Sequence, residues 1–232
     1  MSTDSPTGLR RLPLIPLAED VHFPRTELRL LVVEPAFRRW LGTVADGAEI
    51  WLGTVLMKQT EGESAGESRS RAQKIYGAGT ATRLVELHDN ELGCHLVLQG
   101  HHRFELERIL PGGLWREAWV QPVDETRVDE QDPDIRRLAD DLLGTASDLR
   151  RELGPRFPLN GSQLVQARAL EFETMVNHLA ANLDLMPAKK LRLLRLPLPR
   201  RADLLLSVLQ ERRNILATLR PYRHLAPRSP LH

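Results

Sequence analysis

The apolar residues of this chain keep two different periods, and the change between them falls near residue 125. Before it, short apolar runs are punctuated by turn residues. After it, apolar residues recur at three- and four-residue intervals. Short runs with period-two alternation belong to strands, and a period near 3.6 belongs to helices. The expected fold class is therefore α+β, an antiparallel β-barrel over residues 10–124 followed by a helical subdomain over 133–220. Residues 1–9 are read as a disordered N-terminus and residues 221–232 as a flexible C-terminus.

Within the first half, Leu12 to Leu17 reads Leu-Pro-Leu-Ile-Pro-Leu. Proline supplies no ladder donor, so this run is expected at an edge or at the entrance to a sheet. Phe23-Pro24 ends a tight connection, and Thr26 to Val33 has strand composition. Glu34-Pro35 opens a short helix through Leu41, because proline suits the first helical turn and a carboxylate suits the positive end of the dipole. Glu49 to Met57 is a nearly continuous apolar strand, expected to be central, and Gly53 within it marks a bulge or a close backbone approach. Glu61 to Arg71 is polar and apolar-poor, a loop signature. Lys74 to Leu87 and Cys94 to Ile109 are two arms of a hairpin around His88-Asp89-Asn90 and Gly93, and Pro111-Gly112-Gly113 turns into a last strand, Leu114 to Pro122.

In the second half, Asp134 to Leu153 places Ile135, Leu138, Leu142 and Leu149 near one face and stops at Gly154-Pro155. Asn160 or Ser162 is a cap for a following helix that carries Leu164, Leu170, Met175, Val176 and Leu179. Pro187 begins another, closed by Leu196-Pro-Leu-Pro199, and Arg200 to Leu219 is the last.

The residues at these turns and strands carry a resemblance. Leu12 to Leu17, Phe23-Pro24, then Glu34, Pro35, Phe37 and Arg38, then Gly79, Thr80, Arg83 and Leu84, then Leu96, Leu98, Gly100, Arg103 and Phe104 stand in an order and spacing similar to the N-terminal, substrate-binding (LON) domain of the Lon ATP-dependent proteases. The likeness runs over roughly residues 10–215, through Leu179-Ala-Ala-Asn-Leu183, Leu185 to Leu194 and the arginine-led helix from Arg200. It implies a PUA-like barrel followed by helices. Two departures stand out: Arg25 replaces the glycine that commonly follows Phe-Pro, and the stretch from Glu61 to Arg71 is more polar than usual.

Composition narrows the function classes. A formal net charge of +1 and 5% aromatic residues argue against a dedicated nucleic-acid partner. A single cysteine, Cys94, excludes an internal disulfide or a multi-cysteine zinc site, and no apolar run approaches the ~20 residues that span a bilayer. The polar start of the chain lacks the pattern of a secretory signal, so a cytoplasmic protein is expected. Gly62-Glu-Ser64-Ala-Gly66 matches the Gly-x-Ser-x-Gly elbow of hydrolases, but that motif needs a strand before it and a helix after it, so a chance match is expected. His88, Cys94, His95, His101 and His102 are the densest set of potential metal ligands. Strand alternation divides them between two faces, with Cys94 inward and His95 and His101 outward, so no metal is expected. Arg103 is expected to point outward and Phe104 inward. The arginine pairs, such as Arg38-Arg39 and Arg150-Arg151, are interspersed with acids and read as solvated faces. No phosphate-binding Gly-x-x-x-x-Gly-Lys loop occurs.

The resemblance thus implies a non-catalytic protein without cofactors that binds polypeptide segments, in substrate recognition or as an adaptor related to proteolysis. An RNA-binding PUA-like module and a small-molecule-binding or hydrolytic protein stand as alternatives. An exposed strand edge or a groove between barrel and helices would hold the ligand. The expected contact residues, all in or beside the matched turns and strands, are His22, Phe23, Arg25, Arg83, His101 and Arg103.

Overall fold

The computed structural model describes residues 10–44, 47–58 and 75–219. The ends at 1–9 and 221–232, the polar stretch from Glu61 to Arg71 and the Gly62–Gly66 motif all lie outside the described residues. Six strands, β1 (Arg10–Leu17), β2 (Glu27–Val32), β3 (Trp51–Met57), β4 (Ile75–Asn90), β5 (Gly93–Leu110) and β6 (Glu117–Val123), form one sheet in the order β2-β5-β4-β3-β1-β6. A further pairing of β6 with β5 closes five of them into a ring, leaving β2 on the first half of β5. All pairings are antiparallel except β1 with β3, which run parallel. The long connection between them, which contains β2 and helix α1 (Pro35–Leu41), makes the crossover that a parallel pair requires.

The prolines of β1 were expected to hold it at an edge, yet β1 lies between β3 and β6. The two halves of the strand resolve the conflict: residues 10–13 pair with β6 and residues 14–17 with β3, so neither Pro13 nor Pro16 has ladder partners on both sides. Inside the ring, Leu12, Leu14, Val55, Ala81, Phe104, Ala118 and Val120 make a small core. Space there is short. A Cβ on Gly53 would stand 2.8 Å from a Leu14 methyl, and one on Gly79 would stand 2.3 Å from the Thr54 carbonyl oxygen. On the other side of the strands, Ile15, Leu52, Cys94, Leu96 and Leu98 pack with Phe37 of α1 and with Trp115.

The helices α2 (Pro133–Leu153), α3 (Gly161–Ala167), α4 (Phe172–Asn182), α5 (Pro187–Arg195) and α6 (Leu198–Leu219) form the third and largest core, to which the strand half contributes Val21, Phe23, Leu56 and Ala78. Asn160 caps α3 in a reciprocal capping box with Gln163. The sequence pattern placed α3 and α4 in one helix; the chain breaks between them, and the Glu130 carboxylate accepts the first N–H of α4, from Phe172, at 2.8 Å. That cap comes from outside the helix and leaves no local signature. The last helix also starts two residues earlier than its arginine-led pattern, because Pro199 fits the first turn, where an N–H has no partner to lose.

Three buried cations fasten the two halves. Lys190 of α5 donates to Asp20 at 2.8 Å and to the Ala181 carbonyl at 2.7 Å. Arg103 of β5 and Arg201 of α6 share Glu125, one on each carboxylate oxygen, at 3.1 and 2.6 Å. Arg103 also donates to the Leu194 carbonyl, and Arg201 donates to Asn177 and to the carbonyls of Leu193 and Leu196. Removing a charge from water is tolerable only when a counter-ion and acceptors of this kind replace the water. Arg103 Nε is the one guanidinium nitrogen of the pair left buried without a partner among the described residues.

Candidate functional site

The six residues singled out in the sequence separate into a braced turn, a buried strut and an exposed surface. The turn is Phe23-Pro24-Arg25-Thr26. The Thr26 N–H donates back to the Phe23 carbonyl at 3.4 Å, and the Thr26 hydroxyl donates to the same oxygen at 2.7 Å. Arg25 has φ +62°, and it is the only non-glycine residue with positive φ among the described residues. Proline followed by a positive φ is the type II pattern, whose third position favours glycine. The family glycine that Arg25 replaces therefore had a conformational reason to be there.

This turn is bolted to the sheet. The Arg25 N–H donates to the Gly100 carbonyl and the Gly100 N–H donates to the Thr26 carbonyl, each at 2.9 Å. The Thr80 hydroxyl donates to the His22 carbonyl at 2.6 Å. A Cβ on residue 100 would stand 2.3 Å from the Phe23 carbonyl oxygen, so the turn seats only on glycine. The Phe-Pro motif and the Gly-x-x-Arg-Phe motif are thus two halves of one joint.

His22 and Phe23 serve that joint and do not meet solvent. Phe23 is fully buried in the helical core. His22 is buried as well, with Nε2 3.0 Å from the Thr26 carbonyl, which requires the proton on Nε2 and leaves the buried Nδ1 without a partner among the described residues. Burial pushes the His22 imidazole below its ordinary range, against the weaker upward pull of that hydrogen bond and of Asp20. Arg103 points away from the ring interior, as expected, but it is 6% exposed because the helices cover it.

Arg25, Arg83 and His101 do reach the surface together. In β5, Gly100 opposes Thr82 while His102 opposes Ala81, so His101 is an extra residue, a β-bulge. The bulge inverts the alternation of β5. Cys94, Leu96 and Leu98 face the α1 side, whereas Phe104 and Leu106, of the same parity, face the ring interior. At the bulge the His101 ring meets Trp51 edge-on at 4.7 Å between centroids, and His102 lies 6.2 Å from the same indole. Trp51 pairs across the ladder with Arg83, and the Glu49 carboxylate accepts from the Trp51 indole at 3.2 Å and from Arg83 at 3.3 Å. Burial, then Arg83 and Arg25, holds the His101 imidazole below its ordinary range; burial, then Arg10, does the same for His102. At the helical side Glu173 is raised by burial, with Arg25 pulling the other way.

Trp51, Glu49 and His102 were not among the residues expected at this surface. Alternation along Glu49-Ile50-Trp51 is the one signal that pairs the first two, but nothing local says they lie opposite Arg83. Cys94, by contrast, is buried at the far end of the hairpin, with its Sγ 3.4 Å from Asp89 and its thiol pushed up by burial. No group of three or more His, Cys, Asp and Glu side chains able to hold a metal occurs among the described residues. Among those residues no helix is long and apolar enough to cross a membrane.

A strand ring locked to a helical layer, with a polar and aromatic surface around Trp51 on the strand side, is an α+β module. The chain belongs to the ATP-dependent protease La (LON) substrate-binding domain family, whose profile matches residues 11–211. It is 23% identical over 184 residues to the Lon protease of Flavobacterium johnsoniae, a match covering 79% of this chain and 22% of that protein. It is 26% identical over 193 residues to Lon protease 4 of Sorangium cellulosum, covering 78% and 21%. The chain thus spans about a fifth of the length of these relatives, and its 232 residues are not a full Lon protease. In structure it is similar to the N-terminal domain of the Mycobacterium avium complex Lon protease, with TM-score 0.62 and 13% identity over 87% of this chain and 98% of that one. It is also similar to the Lon N-terminal domain protein from Xanthomonas campestris, with TM-score 0.53 and 24% identity over 85% and 98%. At these identities the structural likeness concerns the fold.

Proposed function

We propose that this protein recognises polypeptide segments as a non-catalytic module, handing them to a proteolytic partner, and that the surface at Trp51, Arg83, His101 and Arg25 is where they bind. The observation that carries the reading is the convergence of those side chains in a member of a substrate-binding family. Nothing in the fold needs Arg25 in a left-handed turn; a glycine would make the turn more easily. Strained backbone of this kind and β-bulges are both concentrated at binding sites. Trp51 supplies an apolar face, and the arginines supply donors for backbone carbonyls and carboxylates.

Site-specific photocrosslinking tests it. A photoreactive residue at Glu49 or Arg83 should capture unfolded polypeptides, whereas one on the outer face of α2, at Arg137, should not. Equal capture at both positions, or none at the first, removes this surface as the binding site.

A further inference from the structure

We infer that the surface formed by Trp51, His101, His102, Arg10, Arg25 and Arg83 takes acidic polypeptide segments, with an aromatic or aliphatic side chain of the segment laid against Trp51. This rests on the polypeptide reading above and gives it a substrate class.

Charge and hydrogen-bond supply point to the acidic partner. Arg103 and Arg201 are buried, and between them they donate to Glu125, Asn177 and three main-chain carbonyls. Arg83 is different: its side chain is 45% exposed and its guanidinium reaches one acceptor among the described residues, Glu49 at 3.3 Å. Arg25 is exposed, and its guanidinium donates to no partner among the described residues. A guanidinium carries five donors in a planar fork that matches a carboxylate, so most of the donors on these two residues are free for a ligand. His101 Nε2 is buried and has no hydrogen-bond partner among the described residues.

The acids in range offset these cations in part. Glu49 pairs with Arg83 and accepts from the Trp51 indole, while Arg25 has no hydrogen-bonded acid among the described residues. Asp124 acts on His102 more weakly than Arg10 does. A carboxylate entering between Arg25 and Arg83 would meet two guanidinium forks, while the next apolar side chain along an extended segment would reach the indole. A nucleic acid would present the same sign of charge as a continuous line of phosphates. That line would have to pass Glu49 and Asp124 on a protein of formal net charge +1, with little electrostatic drive to overcome the repulsion.

The test is fluorescence anisotropy on the full chain with a labelled extended peptide carrying aspartates and one phenylalanine. It is compared with the same peptide bearing asparagines, with one bearing lysines, with an acidic version in which serine replaces phenylalanine, and with oligouridine. Charge-assisted hydrogen bonds are worth enough to predict a preference of about tenfold for the aspartate over the asparagine peptide. Arg25→Gln with Arg83→Gln should abolish that preference while leaving the unfolding midpoint in place. If the asparagine or lysine peptide binds as tightly as the acidic one, the acidic class is wrong and the polypeptide reading stands. If the phenylalanine proves dispensable, the role of Trp51 is wrong. If no peptide binds, the polypeptide reading itself fails. Oligouridine binding that is lost in the arginine variant overturns both.

Discussion

Two sets of arginines sit on either side of one strand pair and live in opposite environments. Arg103 and Arg201 are buried, 6% and 0% exposed, and share Glu125 at the join between strands and helices. Arg25 and Arg83 lie in the open beside Trp51, with donors to spare. The buried set is held by Glu125, Asn177 and three main-chain carbonyls, and removing Glu125 strands two charges in a medium that cannot solvate them. The exposed set contributes little to folding, since exposed pairs are screened by water and salt. The contrast separates what keeps the module together from what it presents.

The contrast is most severely tested at Glu125. Glu125→Ala leaves two buried guanidinium groups without their counter-ion and should cost about 3–5 kcal/mol in urea unfolding. A loss too small to measure would mean the helices dock without that cluster. Gly100→Ala comes next. The added methyl cannot fit against the Phe23 carbonyl, and overpacking of this kind costs about 1–3 kcal/mol, with peptide binding weakened because the turn bearing Arg25 is displaced.

Acid should loosen the same joint. His22 titrates below its ordinary value of 6.5 when folded, so the unfolded chain binds the proton more readily. Stability is then full above about 6.5 and declines as the pH falls below it. Chemical denaturation between pH 7 and 5 should show that decline, and His22→Gln should make it shallower. His101, His102 and His178, lowered mainly by burial too, supply the rest of the slope.

Smaller effects belong to the exposed set. Arg25→Gly relieves a left-handed arginine and should raise stability by up to about 1 kcal/mol, offset in part by the greater freedom of glycine in the unfolded chain. It should at the same time weaken binding of the acidic peptide. Arg83→Gln should leave the unfolding midpoint unchanged and alter binding alone. A variant at either position that loses stability and binding in step would erase the division between the two sets.

Much of the architecture could be read from local pattern. Glu34-Pro35 marks the start of α1, Asn160 marks the start of α3, and the shift of period near residue 125 separates strands from helices, because each signal is contained in a few neighbouring residues. What escaped depends on residues far apart in the chain. Arg103 alternates with Phe104 as an outward residue should, but alternation cannot tell whether the outer face meets water or a second layer of structure. The break between α3 and α4 is capped by Glu130, which lies 42 residues before Phe172. At the proposed binding surface the turn residues were visible through their motif. Trp51, Glu49 and His102 were not, since they join it only through the pairing of β3 with β4 and the bulge in β5.

That bulge makes residue count a form of information. His101 acts on β5 as a leap day acts on a calendar: one extra unit resets the phase of everything after it. Were residues 98–104 to pair one for one, Phe104 would turn toward the Leu194 carbonyl and Glu125, and Arg103 would enter a ring lined by Leu14, Val55 and Val120. Deleting His101 itself would leave Gly100 opposite Thr82, His102 opposite Ala81 and every later pairing in place, removing only the local bend and one surface side chain. The extra residue thus lets one continuous strand line the α1 side with its first half and the ring with its second.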